Sequence, residues 1–237
     1  MIGELLVCDR LTVREPAVTG EVLMIKQSVG ATMVKPAILT KVLILTFMLF
    51  SEDLEALSIG EQLVEAAHER TEHFVIYEGS YRKIDYPMGD VPENIGVCTD
   101  VIIRSYRQLG IDLQQLVHED MKDNFNQYPK NWSLKKPDTN IDHRRVPNLE
   151  RFFERHGQVL AISDKAEDYQ AGDIVSWRLE GGFPHIGIVT DKKSDGSDNL
   201  MIVHNIGLGP KLEDVLFRYR VVGHFRYLPS IAKVATQ

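Results

Sequence analysis

Hydrophobic spacing changes period near Gly157, and few folds accommodate that change. Ahead of it, "SIGEQLVEAAHERT" from Ser58 to Thr71 places Ile59, Leu63, Ala66 and Ala67 at helical intervals. Val97 through Leu109 repeats that spacing, with Asn94 expected as its N-cap and Gly110 placed to close it in a left-handed turn. "HEDMKDNFNQYP" reads as a short helix, and "VPNLERFFERHG" as a stronger one with Leu149, Phe152 and Phe153 on one face. Between the first two helices, "HFVIYEGSYRKIDYPMGDVPENIG" reads as a short strand and a loop punctuated by Gly and Pro. Beyond Gly157 the pattern becomes "GDIVSW", "HIGIVT", "LMIVHN" and "VVGHFRY", short β-rich runs separated by turn signals such as Asp195-Gly196. These runs predict an antiparallel sheet, and helices first with strands later is an α+β arrangement.

The N-terminal part follows a different logic. Met33 opens a stretch in which Lys35 and Lys41 precede an apolar run from Val42 to Phe50. That run is too short for a bilayer, which takes about 20 apolar residues, and it fits the charged and apolar regions of a secretory signal. The expected organisation is therefore a non-native or disordered extension over 1–32, a signal-like leader over 33–56 with a cut after Ala56, and a single domain over 57–237. The alternative is that the apolar run is a buried element of an N-terminal subdomain. A net charge of -7 lacks the basic surface a nucleic-acid partner requires and offers nothing to an acidic membrane face. Any membrane contact is expected only through an uncleaved leader. The expected location is periplasmic or secreted.

Removing the leader removes Cys8 and leaves Cys98 as the single cysteine. An exported chain with one thiol forms no internal disulfide, and an unpaired thiol there is a candidate for chemistry. Cys98 falls in the first turn of its expected helix, where unsatisfied N–H groups stabilise a thiolate and can hold an oxyanion. Ile102 and Leu109 continue the same stripe, so the position also suits an inert buried cysteine. The strands weigh towards chemistry. His185 begins "HIGIVT" and His204 ends "LMIVH"; if these runs form a hairpin, both histidines reach one end of the sheet. One can then serve as general base to the thiol and the other can orient it. The opposing reading is two satisfied structural histidines.

The order of a helix-borne cysteine, "HIGIV" and a strand-closing histidine resembles the NlpC-type cell-wall peptidases of the papain-like superfamily. More closely, "GVCTDVIIRSYRQLGIDLQ", "NIDHRRVPNL", "GDIVSW", "HIGIV" and "VHNIG" resemble the bacterial family known as domain of unknown function 1287, over roughly Glu61 to Tyr227. The resemblance implies an exported thiol hydrolase with a papain-like α+β fold acting on amide bonds in peptidoglycan stem peptides. Cys98 would be nucleophile, His185 base and His204 the orienting member, with no cofactor and no metal required. The peptidases carry an aspartate before the cysteine and a Ser-Gly pair after it, whereas Val97 precedes Cys98 and Thr99-Asp100 follow. That departure leaves the cleaved bond open.

Candidate substrate-binding residues surround this core. Asp142, His143, Arg144 and Arg145 stand together before a helix, and paired arginines offer planar forks for substrate carboxylates; the simpler reading is an ion-pair cluster bracing the helix. Asp100 can orient the site or stabilise its own first helical turn, and Asn205 can replace His204 if the strand register slips. Trp177 and Tyr81 are candidates to line the cleft, against the simpler reading of core aromatics. His118, Asp120, Asp142 and His143 are acceptable metal-ligand types but form no tight ligand motif. A peptidoglycan-binding shell without turnover and an amide transferase using the same triad are the competing functions. The expected form is a monomer.

Overall fold

The computed structural model describes residues 57–229, so the expected extension, the leader and Cys8 lie outside the described residues. Helix α1 (Ile59–Arg70) begins with a reciprocal cap: the Ser58 hydroxyl accepts from the Glu61 N–H, and the Glu61 carboxylate accepts from the Ser58 N–H. Its apolar face buries Leu63, Val64, Ala66 and Ala67. Two short strands, β1 (Ile76–Tyr77) and β2 (Ile95–Gly96), then pair in parallel with Tyr77 opposite Gly96. That pairing overturns Asn94 as an N-cap, because the Asn94 carbonyl accepts from the Ile76 N–H and the chain stays extended for two more residues. Helix α2 (Cys98–Gln108) starts instead at Val97, whose N–H is capped by the Asp100 carboxylate at 2.7 Å. Gly110 follows with φ of 75°, the left-handed turn its position requires.

Helix α3 (Leu113–Asp123) begins earlier than the expected short helix, because the Asp112 carboxylate caps it through the Gln114 N–H and Leu113, Val117 and Met121 form a buried stripe. Asp142–Arg144 forms a single 3₁₀ turn leading into α4 (Val146–His156). A six-stranded antiparallel sheet follows, built from β3 (Gln158–Val159), β4 (Ile174–Arg178), β5 (Pro184–Lys193), β6 (Leu200–His204), β7 (Lys211–Glu213) and β8 (Arg220–Arg226), in the order β3-β8-β4-β5-β6-β7. β3 and β7 are too short to alternate visibly in sequence. The described fold is thus α+β with an antiparallel sheet.

Alternation along the strands divides the core. Ile174, Ile186, Ile188, Val203 and Phe225 join the helix-side cluster with Cys98, Ile102, Tyr106, Phe152 and Phe153. Val175, Trp177, Val189 and Ile202 pack on the other face with Tyr169, Val215 and Leu216. Trp177 is core, as its residue type suggests, whereas Tyr81 is exposed and donates to Asp138 at 3.1 Å. Among the described residues no helix is long and apolar enough to cross a membrane.

Candidate active site

The hairpin register brings the two histidines together. β5 and β6 pair Ile188 with Val203, which carries His185 and His204 to the same end of the sheet. Their rings meet edge to face with His185 Nε2 at 2.9 Å from His204 Nδ1, and both side chains are buried. Trp177, directly opposite His185 on β4, packs beside its ring with centroids 5.8 Å apart and donates its own N–H to the Leu216 carbonyl. Burial, reinforced by the neighbouring His204, lowers His185 to about 3, so it rests as a neutral imidazole. Burial likewise lowers His204, with Glu213 pulling in the opposite direction.

Cys98 is the first residue of α2 and is buried, with no disulfide partner. Burial first, and the Asp100 charge second, push its thiol up to about 12. The Ile186 and Thr99 backbone N–H groups and the Tyr77 hydroxyl lie against the sulfur and favour its ionised form, but they do not outweigh burial. At rest the thiol and the imidazole are each neutral, and among the described residues no hydrogen bond joins the sulfur to the His185 ring. The thiolate expected from the helix start is absent at rest because the N-terminal dipole is opposed by desolvation.

Tyr77 is the neighbour of Cys98 that sequence reasoning missed. It sits on β1, a strand of two residues whose parallel partners lie nineteen positions further on. Together with Phe183, His185, Ile206, Arg218 and Tyr219 it lines an open cleft of 660 Å³. Cys98 is not part of that lining, and the Tyr77 hydroxyl that reaches the sulfur belongs to a residue that is.

The remaining expected residues are held by partners of their own. Arg144 forms a fork with both Asp100 carboxylate oxygens at 2.8 Å, and Thr99 donates its hydroxyl to the Arg144 carbonyl. Arg145 packs over the Trp132 ring and approaches Asp142 at 3.7 Å. The Asp142 carboxylate accepts from the Asp138 N–H, and burial raises it to about 6. His143 is buried and held neutral, lowered to about 3 by desolvation. Asn205 accepts from the Gly207 N–H and makes no hydrogen bond to His185. The metal-ligand types do not converge: His118 packs on Tyr86, while Asp120 binds Arg155 and His156. Among the described residues no group of three or more His, Cys, Asp or Glu side chains can hold a metal.

Comparison with known proteins places this chain among relatives. The family described as a domain of unknown function (DUF1287) matches residues 64–227. The uncharacterized protein YijF of Escherichia coli (strain K12) is 52% identical over 166 residues, covering 70% of this chain and 80% of that protein. Among solved structures, NlpC1 from Trichomonas vaginalis is similar with a TM-score of 0.39 and 16% identity, covering 74% of this chain and 46% of that one. NlpC2 from the same organism gives a TM-score of 0.39 and 15% identity, covering 75% and 49%. The chain spans less than half the length of these two proteins.

Proposed function

The chain belongs to the DUF1287 family, and since that membership names no reaction, we propose from the site itself that it is an exported thiol hydrolase of papain-like fold. Its substrates in this reading are amide bonds of peptidoglycan stem peptides. The single observation carrying the proposal is the buried 2.9 Å contact between His185 and His204. Two neutral imidazoles in series leave the inner one with a lone pair for a thiol proton.

In this mechanism the Cys98 sulfur attacks the substrate carbonyl as its proton passes to His185 Nδ1. The backbone N–H groups at the start of α2 receive the oxyanion. Collapse breaks the C–N bond, and the leaving amine takes the proton from His185 Nδ1. Water then attacks the thioester, gives a proton to the same nitrogen and releases the carboxylic acid with the thiol restored. Because both groups rest neutral, proton transfer accompanies attack rather than preceding it. His185 shares the sheet face of Trp177, whereas Cys98 packs with Ile186 and Ile188 on the helix side, so the mechanism requires the two side chains to meet around the strand end when substrate binds. Arg144 is occupied by Asp100, so the carboxylate-recognising role passes to Arg218, exposed at the cleft with its guanidinium 5.6 Å from the Tyr219 ring centre.

The burial of Cys98 against Tyr77 favours a second reading, a peptidoglycan-binding module without turnover. Digestion of purified peptidoglycan separates the two, with soluble products resolved by mass spectrometry. Wild type is expected to release fragments with new carboxyl ends, and Cys98→Ala and His185→Ala to release none. Equal release by wild type and Cys98→Ala would remove the nucleophile from the proposal. Retained sedimentation with peptidoglycan but no product from any form would leave the binding module.

A further inference from the structure

Behind the histidine pair stands a third group. β7 pairs with β6 so that Lys211 faces His204 and Glu213 faces Ile202. Ile202 and His204 share a face of their strand, which makes Glu213 the diagonal neighbour of His204. The Glu213 Oε2 atom lies 3.1 Å from His204 Nε2. This approach is off the line of the ring N–H, and the buried Nε2 has no aligned partner among the described residues. The Glu213 side chain is 38% exposed and stands as the carboxylate nearest that nitrogen.

We infer that Glu213 is a positioning residue that fixes the proton pattern of both histidines and so makes His185 Nδ1 the base. An ionised carboxylate only accepts, so the His204 nitrogen facing it carries the hydrogen. A neutral imidazole carries one N–H, which leaves His204 Nδ1 as a lone pair. The 2.9 Å contact then requires the hydrogen to sit on His185 Nε2. His185 is neutral too, so its Nδ1 is unprotonated. Without the carboxylate, the pair can hold its hydrogens in the reverse sense, with Nδ1 of His185 blocked. The assignment of His185 as base rests on the function proposed above; the proton pattern itself does not.

The charged groups around His204 agree with this order. His185 faces it from β5, Lys211 and Glu213 from β7, and Arg218 from the following loop. Lys211 and Arg218 disfavour an imidazolium, while Glu213 favours one and is the only anion of the set.

The test is the histidine tautomer state of the full-length protein, read by long-range proton–nitrogen correlation NMR on histidine-labelled material near pH 7. Wild type is expected to carry hydrogen on Nε2 of both His185 and His204. Glu213→Ala should give mixed or reversed tautomers at both rings, and Glu213→Asp should restore part of the wild-type pattern. In parallel, the peptidoglycan-release rate of Glu213→Ala should fall about 10- to 100-fold at unchanged KM, in the range of lost outer partners of a site histidine. Hydrogen on Nδ1 of His204 in the wild type overturns the inference even if the variant does not fold. An unchanged tautomer pattern in a folded Glu213→Ala also overturns it. The expected tautomers without any peptidoglycan product would sink the hydrolase alone.

Discussion

Cys98 is buried, and Tyr77 is the residue that touches both its sulfur and the cleft. The phenol end of Tyr77 turns in against Cys98 while its ring stays half-exposed on the cleft wall. Tyr77→Ala is therefore expected to speed alkylation of Cys98 by iodoacetamide at pH 8, by about 10-fold or more, since access limits reactivity as well as thiolate fraction. Equal rates would show that Tyr77 does not limit access. The sulfur also carries a signature in stability. Burial and Asp100 hold the folded thiol at about 12, against about 8.5 for an exposed one. A folded value raised above the unfolded one leaves its stabilisation intact below about pH 8.5 and drains it as pH climbs towards 12. Between pH 8 and 10 the wild type should lose about 2 kcal/mol more than Cys98→Ser in urea unfolding, from about 1.4 kcal/mol per pH unit. Parallel pH slopes for the two proteins would mean that the thiol ionises normally. The candidate thiol was legible in the sequence, yet its resting charge was not, because depth of burial cannot be read from helical spacing alone.

At the scale of elements, the site depends on how closely β5 and β6 approach. Gly187 lies two residues beyond His185, and a Cβ built there would stand 2.6 Å from Ile202 Cγ2, 3.0 Å from the Val203 carbonyl oxygen and 3.1 Å from His204 Cβ. The obstacle includes backbone, so the strands must part. Gly187→Ala should cost about 1–3 kcal/mol, as overpacking does, and should lengthen the His185–His204 contact. The check is urea unfolding together with loss of the coupled histidine resonances; an intact pair at wild-type stability would contradict it. This element was readable in outline: alternation in "HIGIVT" and "LMIVHN" with a turn between them is sufficient to place two histidines at one sheet end. Other parts were not readable. β1 and β2 are two residues each and pair in parallel across a long loop, so neither Tyr77 nor the displaced helix start had a local signal. The Arg144–Asp100 fork joins residues forty-four apart, and a cluster suited to substrate carboxylates proved occupied internally. Glu213 rides on a three-residue strand, too short for any period.

Across the whole molecule, neutral groups that acid must charge are buried at separate points. His185 lies at the sheet end, and His143 lies in the turn ahead of α4; desolvation lowers each to about 3. In the unfolded chain both titrate near 6.5. A folded value below the unfolded one means their stabilisation is whole above about pH 6.5 and is lost as pH falls towards 3. Asp142 works against them: raised to about 6 by burial, it destabilises the fold at neutral pH and returns that cost as it is protonated below pH 6. From pH 7 to 5 each histidine gives up about 2 kcal/mol and Asp142 returns about 1 kcal/mol, a net loss of about 3 kcal/mol. This is a sizeable share of a domain's total stability, commonly about 5–15 kcal/mol. Urea unfolding at pH 7, 6 and 5 should therefore show a falling midpoint at constant slope, steepest between pH 6 and 5. His143→Asn should cut the fall by about two-thirds, from about 3 to about 1 kcal/mol, because it removes one of the two titrating rings while Asp142 still offsets the other. Stability that holds level to pH 5 would mean these rings reach water and protonate without unfolding the chain.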